Sequence, residues 1–134
     1  MKALLDTTTL IDVLKGDESA IKAIDEIKME AVLYTTTINI YEYLRGIMLL
    51  QKDKEKHIQA LNVLVSNLNI LEIDLSVAGR AAEIYADLRK IGVTLDEPDY
   101  LIAGACLGND IDIIVTRNEK HFEKVKGLRK VITY

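Results

Sequence analysis

Asp6, Glu42 and Asp99 are the acids whose sequence surroundings set them apart. Asp6 ends a short apolar run, residues 2–5, so it falls at the edge where a strand hands over to the next element. Glu42 lies within the mostly apolar segment 38–46, and partly buried positions of that kind seldom carry a charge without a partner. Asp99 opens the nearly all-apolar stretch 99–105, with Pro98 suited to the first turn of a helix just before it. Thr116 and Asn118 follow a fourth apolar run, 113–115, as polar groups at its end. Gathered at one place, three carboxylates repel one another and persist only when protons or cations neutralise them. Oxygen-only ligands select hard ions, Mg²⁺ or Mn²⁺, over zinc. Such an ion lowers the pKa of a water and stabilises the charge that develops when water attacks a phosphodiester. The chemistry that suits these residues is therefore metal-dependent phosphodiester hydrolysis. Each acid also has a plainer role open to it. Asp6 or one of Thr7, Thr8 and Thr9 serves equally as the cap of a helix starting at Leu10. Glu42 is one turn from Arg45, and Asp99 complements a helix N-terminus, with Asp96 and Glu97 beside it.

The elements that must position these groups are legible as apolar runs and periods. Strands are expected at 2–5, 31–35, 71–73, 112–116 and 131–133. Between them, Leu10, Ile11, Val13 and Leu14 stop at Gly16, and Ile21, Ile24 and Ile27 recur through a charged helix. Residues 38–50 read as one long helix, and Ile58, Leu61, Leu64, Val65 and Leu68 as the stripe of the next. A further helix over 77–91 is closed by Gly92. The charge run 52–56 joins two helices as a solvated face. Strands alternating with helices imply parallel pairing, hence a three-layer α/β/α domain with a central, mainly parallel sheet. Ligands gather at the carboxyl ends of the strands of such sheets. One domain over 1–134 is the expectation.

Composition narrows the class. The 134 residues are 49% hydrophobic and 28% charged, which is ordinary for a compact domain. Seventeen basic against twenty-one acidic residues give a net charge of −4, which argues against a protein relying on a broad basic surface to hold duplex nucleic acid. A carboxylate site that binds cations still presents phosphate to metal and to a few local basic groups. The single cysteine, Cys106, lies in an apolar stretch and reads as a buried, inert thiol. No apolar run approaches the ~18 residues of a membrane span, and Asp6 interrupts the opening run before a signal-peptide core forms. A soluble, cytoplasmic protein is expected.

Four motifs in order resemble the PIN-domain ribonucleases. They are Asp6-Thr7-Thr8-Thr9-Leu10-Ile11-Asp12; the segment 38–46 around Glu42; Asp99-Tyr100-Leu101-Ile102-Ala103-Gly104-Ala105; and Val115-Thr116-Arg117-Asn118 with Phe122 four residues on. Their spacing and the chain length look most like VapC-type toxins of prokaryotic toxin–antitoxin pairs. The resemblance implies a Mg²⁺ or Mn²⁺ site, endonucleolytic cleavage of RNA, a homodimer, and inhibition by a cognate antitoxin protein. Carried over by motif, Asp6, Glu42 and Asp99 match the first three acids of the family, Asn118 the fourth position, and Thr116 a threonine that orders ligands or water. Asn118 departs from a full acid set, because an amide oxygen ligates Mg²⁺ without supplying charge. That favours one ion over two.

Arg45, Arg117, Lys120, Lys124 and Lys126 flank the motifs and are candidates for backbone phosphate contacts. His57 and His121 have no motif partner, so no catalytic imidazole is expected. Among enzymes, a housekeeping PIN nuclease in RNA processing shares this chemistry. From another class, a degenerate non-catalytic PIN module would be consistent with Asn118, although retention of three acids speaks against it. A haloacid-dehalogenase-type phosphatase would place a second aspartate two residues after Asp6, where this chain has Thr8. The homodimer is expected through the apolar helices at 38–50 and 58–68.

Overall fold

The computed structural model describes residues 1–134. Five strands, β1 (Lys2–Leu5), β2 (Val32–Thr36), β3 (Asn69–Leu71), β4 (Ile113–Val115) and β5 (Lys130–Ile132), form one sheet in the order β3-β2-β1-β4-β5. Every pairing is parallel, so the sheet is wholly rather than mainly parallel. The chain crosses from β1 outward through β2 to β3, then returns to the other side of β1 for β4. The order therefore reverses between β1 and β4, and a crevice opens at their carboxyl ends.

Six helices cover the sheet: α1 (Thr7–Leu14), α2 (Glu18–Ile27), α3 (Thr37–Met48), α4 (Lys54–Val65), α5 (Leu75–Lys90) and α6 (Glu97–Gly108). Alternation along the central strands divides the core in two. Leu4 and Ile114 face α5 and α6, packing with Ile84, Leu88, Ile102 and Cys106. Ala3, Leu5, Ile113 and Val115 face the other way, toward Leu10 of α1 and Ile27 of α2. These strand residues are buried on both faces, as a sheet sandwiched between helices requires. Burying a leucine such as Leu4 fully stabilises by about 1.5–3 kcal/mol relative to leaving it exposed. A third cluster, Tyr43, Ile47 and Leu61, joins α3 to α4.

Two glycines have identifiable work. Gly92 takes a positive φ of 74° just after α5, and the helix stops there as expected. Gly104 on α6 lets α5 approach so closely that a Cβ there would meet Ala81 and the Val77 carbonyl at 2.9 Å. Cys106 is fully buried, and burial pushes its thiol well above the usual range, as an inert structural thiol requires.

Several boundaries differ from the sequence expectation. Helix α1 begins at Thr7, not Leu10. The third strand is Asn69–Leu71, two residues earlier than 71–73, because Asp74 caps α5 by accepting from the Val77 N–H at 2.9 Å. Residues 54–56 of the charge run are the first turn of α4 rather than a connector. No helix is long and apolar enough to cross a membrane.

Candidate functional site

The crevice at the carboxyl ends of β1 and β4 is an open cleft of about 390 Å³ with no hydrophobic residue in its lining. Asp6, Glu42, Asp99 and Asn118 all line it, so the fold brings together four residues from four distant segments. Thr116 stands behind them. It is fully buried, and its hydroxyl donates to Asp6 Oδ2 at 2.7 Å.

Asp6 occupies the residue before α1 in extended backbone, yet its side chain makes no capping bond. Asp6 thus stands at the cap position while its carboxylate is engaged with other elements. Its Oδ1 accepts instead from Asn39 Nδ2 at 3.1 Å, and both partners are buried. Burial raises the Asp6 pKa, nearby Glu42 raises it further, and the Thr116 hydrogen bond opposes the shift. The Thr7 hydroxyl donates to Glu42 Oε1 at 2.7 Å, and Glu42 forms no ion pair with Arg45. Arg45 lies over the Tyr41 ring, 5.5 Å from its centroid.

Asp99 sits in the third position of α6, after Asp96 at the cap position and Pro98 in the first turn. Its carboxylate meets His121, with Nδ1 2.8 Å from Oδ2. Burial pushes its pKa up to about 6, while His121 pulls the other way. Asn118 is exposed, and its backbone N–H donates to the Thr116 hydroxyl at 3.0 Å.

Two participants escaped the sequence reading. Asn39 has no exposed surface and does two things. Its Oδ1 accepts from the Thr36 N–H and hydroxyl in a capping box that starts α3, and its Nδ2 donates to Asp6 and Thr7. The available signal was an amide three residues after Thr36, at the start of an apolar helix. His121 has no motif partner in the sequence, but the fold carries it to Asp99. Together with Asp96 these two offer ligand atoms within 4.8 Å of one another, whereas Asp6 and Glu42 are outside that compact set.

Of the candidate phosphate contacts, Arg45 lines the cleft; Lys120, Lys124 and Lys126 do not. Arg117 turns to the buried Asp12, 3.4 Å away, whose other oxygen accepts from the Tyr134 hydroxyl at 2.6 Å.

No lysine or arginine pairs with Asp6, Glu42 or Asp99. Clustered carboxylates without lysine or arginine partners, in a polar open cleft, fit a divalent cation.

A family model described as PIN domain matches residues 3–128. The chain is 31% identical to Ribonuclease VapC1 of Methanocaldococcus jannaschii, over 93% of this chain and 82% of that one. It is 26% identical to the tRNA(fMet)-specific endonuclease VapC of Shigella flexneri, over 96% of each chain. Among solved structures, VapBC2 from Rickettsia felis bound to a DNA fragment from its promoter superposes with a TM-score of 0.88 at 21% identity, covering 100% of this chain and 99% of that one. With a family match over nearly its whole length and a strand order that opens the cleft where the four motif residues meet, the chain belongs to the PIN domain family.

Proposed function

We propose that this chain is a metal-dependent endoribonuclease, the toxin of a VapBC-type pair. The observation that carries the reading is the convergence of Asp6, Glu42 and Asp99, none of them paired with a lysine or arginine, on one polar cleft at the switch point of the sheet. The names of the VapC relatives, a ribonuclease and a tRNA-specific endonuclease, support RNA as the substrate class. The VapBC neighbours support a cognate antitoxin as protein partner, and cytoplasmic action on RNA accords with both. Residues 1–134 act as one PIN-like domain in this reading.

Asp6, Glu42, Asp99 and Asn118 would hold Mg²⁺ or Mn²⁺. A bound divalent ion supplies Lewis acidity toward a water and the scissile phosphodiester. The chain does the rest. Thr116 and Asn39 fix the Asp6 carboxylate from both sides, so its oxygens keep one orientation. Thr7 does the same for Glu42. Arg45 at the rim offers a positive charge to backbone phosphate, which brings affinity rather than sequence choice. We further propose a homodimer. Its support is the exposed apolar end of α3 and the turn after it: Met48 is 51% exposed and Leu49 82%.

The test is incubation of the protein with total RNA and Mn²⁺, with cleavage ends mapped. Wild type is expected to cut and EDTA to abolish cutting. Asp6→Asn and Asp99→Asn are each expected to lose at least about 10²-fold in rate, as losses at preorganised electrostatic sites do. Near wild-type cleavage by both variants would overturn the assignment.

A further inference from the structure

The imidazole of His121 is the one nitrogen in the cleft lining that can ligate a metal, since the Arg45 guanidinium stays protonated. We infer that His121 Nδ1 is a ligand of the metal centre alongside Asp99 and Asp96, and that it shifts the site's preference from Mg²⁺ toward first-row transition ions such as Mn²⁺. This rests on the nuclease reading above and deepens it.

Geometry carries the inference. Two ligands about 2.1 Å from one octahedral ion and at right angles to each other are about 3.0 Å apart. His121 Nδ1 and Asp99 Oδ2 are 2.8 Å apart in a hydrogen bond, close to that spacing, so an ion that displaces the shared proton to solvent meets both atoms with little movement, and both residues line the same cleft. Asp96 adds a third ligand atom, all three within 4.8 Å of one another. Ligands on opposite sides of such an ion are about 4.2 Å apart, so a small closing of the set brings all three onto one six-coordinate ion with positions left for water and substrate. The elements holding the three are anchored. Asp96 and Asp99 occupy the cap and third positions of α6, and His121 ends a 3₁₀ turn next to Phe122, which is fully buried. Ligation through Nδ1 requires the imidazole proton on Nε2, which keeps the ring neutral. Mg²⁺ favours oxygen donors, whereas imidazole suits transition ions, so one nitrogen among carboxylates discriminates between them.

The test uses the full chain labelled with ¹⁵N-histidine and loaded with Mn²⁺ alone. Pulsed electron paramagnetic resonance is expected to show a nitrogen coupling that changes with the label. His57, the other histidine, lies outside the cleft, so His57→Gln should leave the coupling intact. In parallel, displacement of Mn²⁺ by Mg²⁺ is followed through the signal of free Mn²⁺. Replacing nitrogen by oxygen in His121→Asp is expected to lower the Mn²⁺-over-Mg²⁺ preference by about ten-fold or more, within the range that ligand-sphere changes produce. Tight Mn²⁺ binding with no nitrogen coupling would overturn the role of His121 while leaving a metal-dependent nuclease in place. Absence of Mn²⁺ binding, with RNA cleavage indifferent to chelator, would overturn both. The labelled wild-type measurement decides the first point even if the variant fails to fold.

Discussion

At the scale of single residues, the three acids were legible because each is a charge in apolar company, and burial makes that combination costly unless something compensates. Asn39 and His121 were not legible, for two different reasons. A capping amide looks the same in sequence whether or not its second group reaches another element, and His121 stands in a charged run where an exposed ring is the ordinary expectation. Asp99 yields a prediction with a definite sign. Its carboxyl titrates at about 6 when folded, chiefly through burial, against about 3.9 in an unfolded chain. Between those values the folded protein keeps a proton that the unfolded chain has released. This contribution to metal-free stability is full below pH about 4 and is lost as pH rises through about 6. In chelator, the melting temperature of wild type should therefore slope downward across that window relative to Asp99→Asn. Mn²⁺ affinity should move oppositely, rising through pH 6 as the carboxylate becomes available. Parallel pH slopes for the two proteins would place the titration elsewhere.

At the scale of elements, strands buried on both faces were readable as unbroken apolar runs, and the period of α5 with Gly92 after it marked its end. The edge strand β3 was not. Asn69 and Ile70 are exposed there, so burial writes no pattern into the residues, and the register is set by β2 and the Asp74 cap. Likewise the threonines after Asp6 read as caps of a helix starting at Leu10. In the fold, Thr9 donates to the Val115 carbonyl at 2.8 Å, Thr7 to Glu42, and Thr8 meets Thr116, so poor helix formers are held in a helix by tertiary bonds. The α5–α6 pair depends on Gly104. Gly104→Ala places a Cβ against backbone atoms of Val77 and Ala81, which cannot yield as a flexible side chain would. Overpacking of this kind should cost about 1–3 kcal/mol in denaturant unfolding. A change within about 0.5 kcal/mol, the range of an ordinary surface substitution, would contradict so close a helix approach.

At the scale of the whole molecule, parallel topology follows from alternating elements, but which strands flank β1 does not, and the site exists only because β1 and β4 are neighbours. The same scale governs assembly. Ile47 packs inward with Tyr43 and Leu61, while Met48, Leu49 and Leu50 remain exposed, so only part of the apolar excess expected for an interface is available. Light scattering at micromolar concentration should give the mass of two chains, and a mass of one chain would rule out the dimer for the isolated protein. The central claim, that the cleft is built for a cation, is tested most directly by the melting temperature of wild type and Asp6→Asn with and without Mn²⁺. Asp6 is buried near Glu42 with no basic partner, and asparagine keeps its shape while deleting the charge. In EDTA the variant should melt higher than wild type by roughly 2–8 °C, the shift for a gain near 1 kcal/mol. Millimolar Mn²⁺ should raise wild type by mass action and leave the variant nearly unchanged. A variant that melts lower than wild type in EDTA, with wild type indifferent to Mn²⁺, would contradict the account.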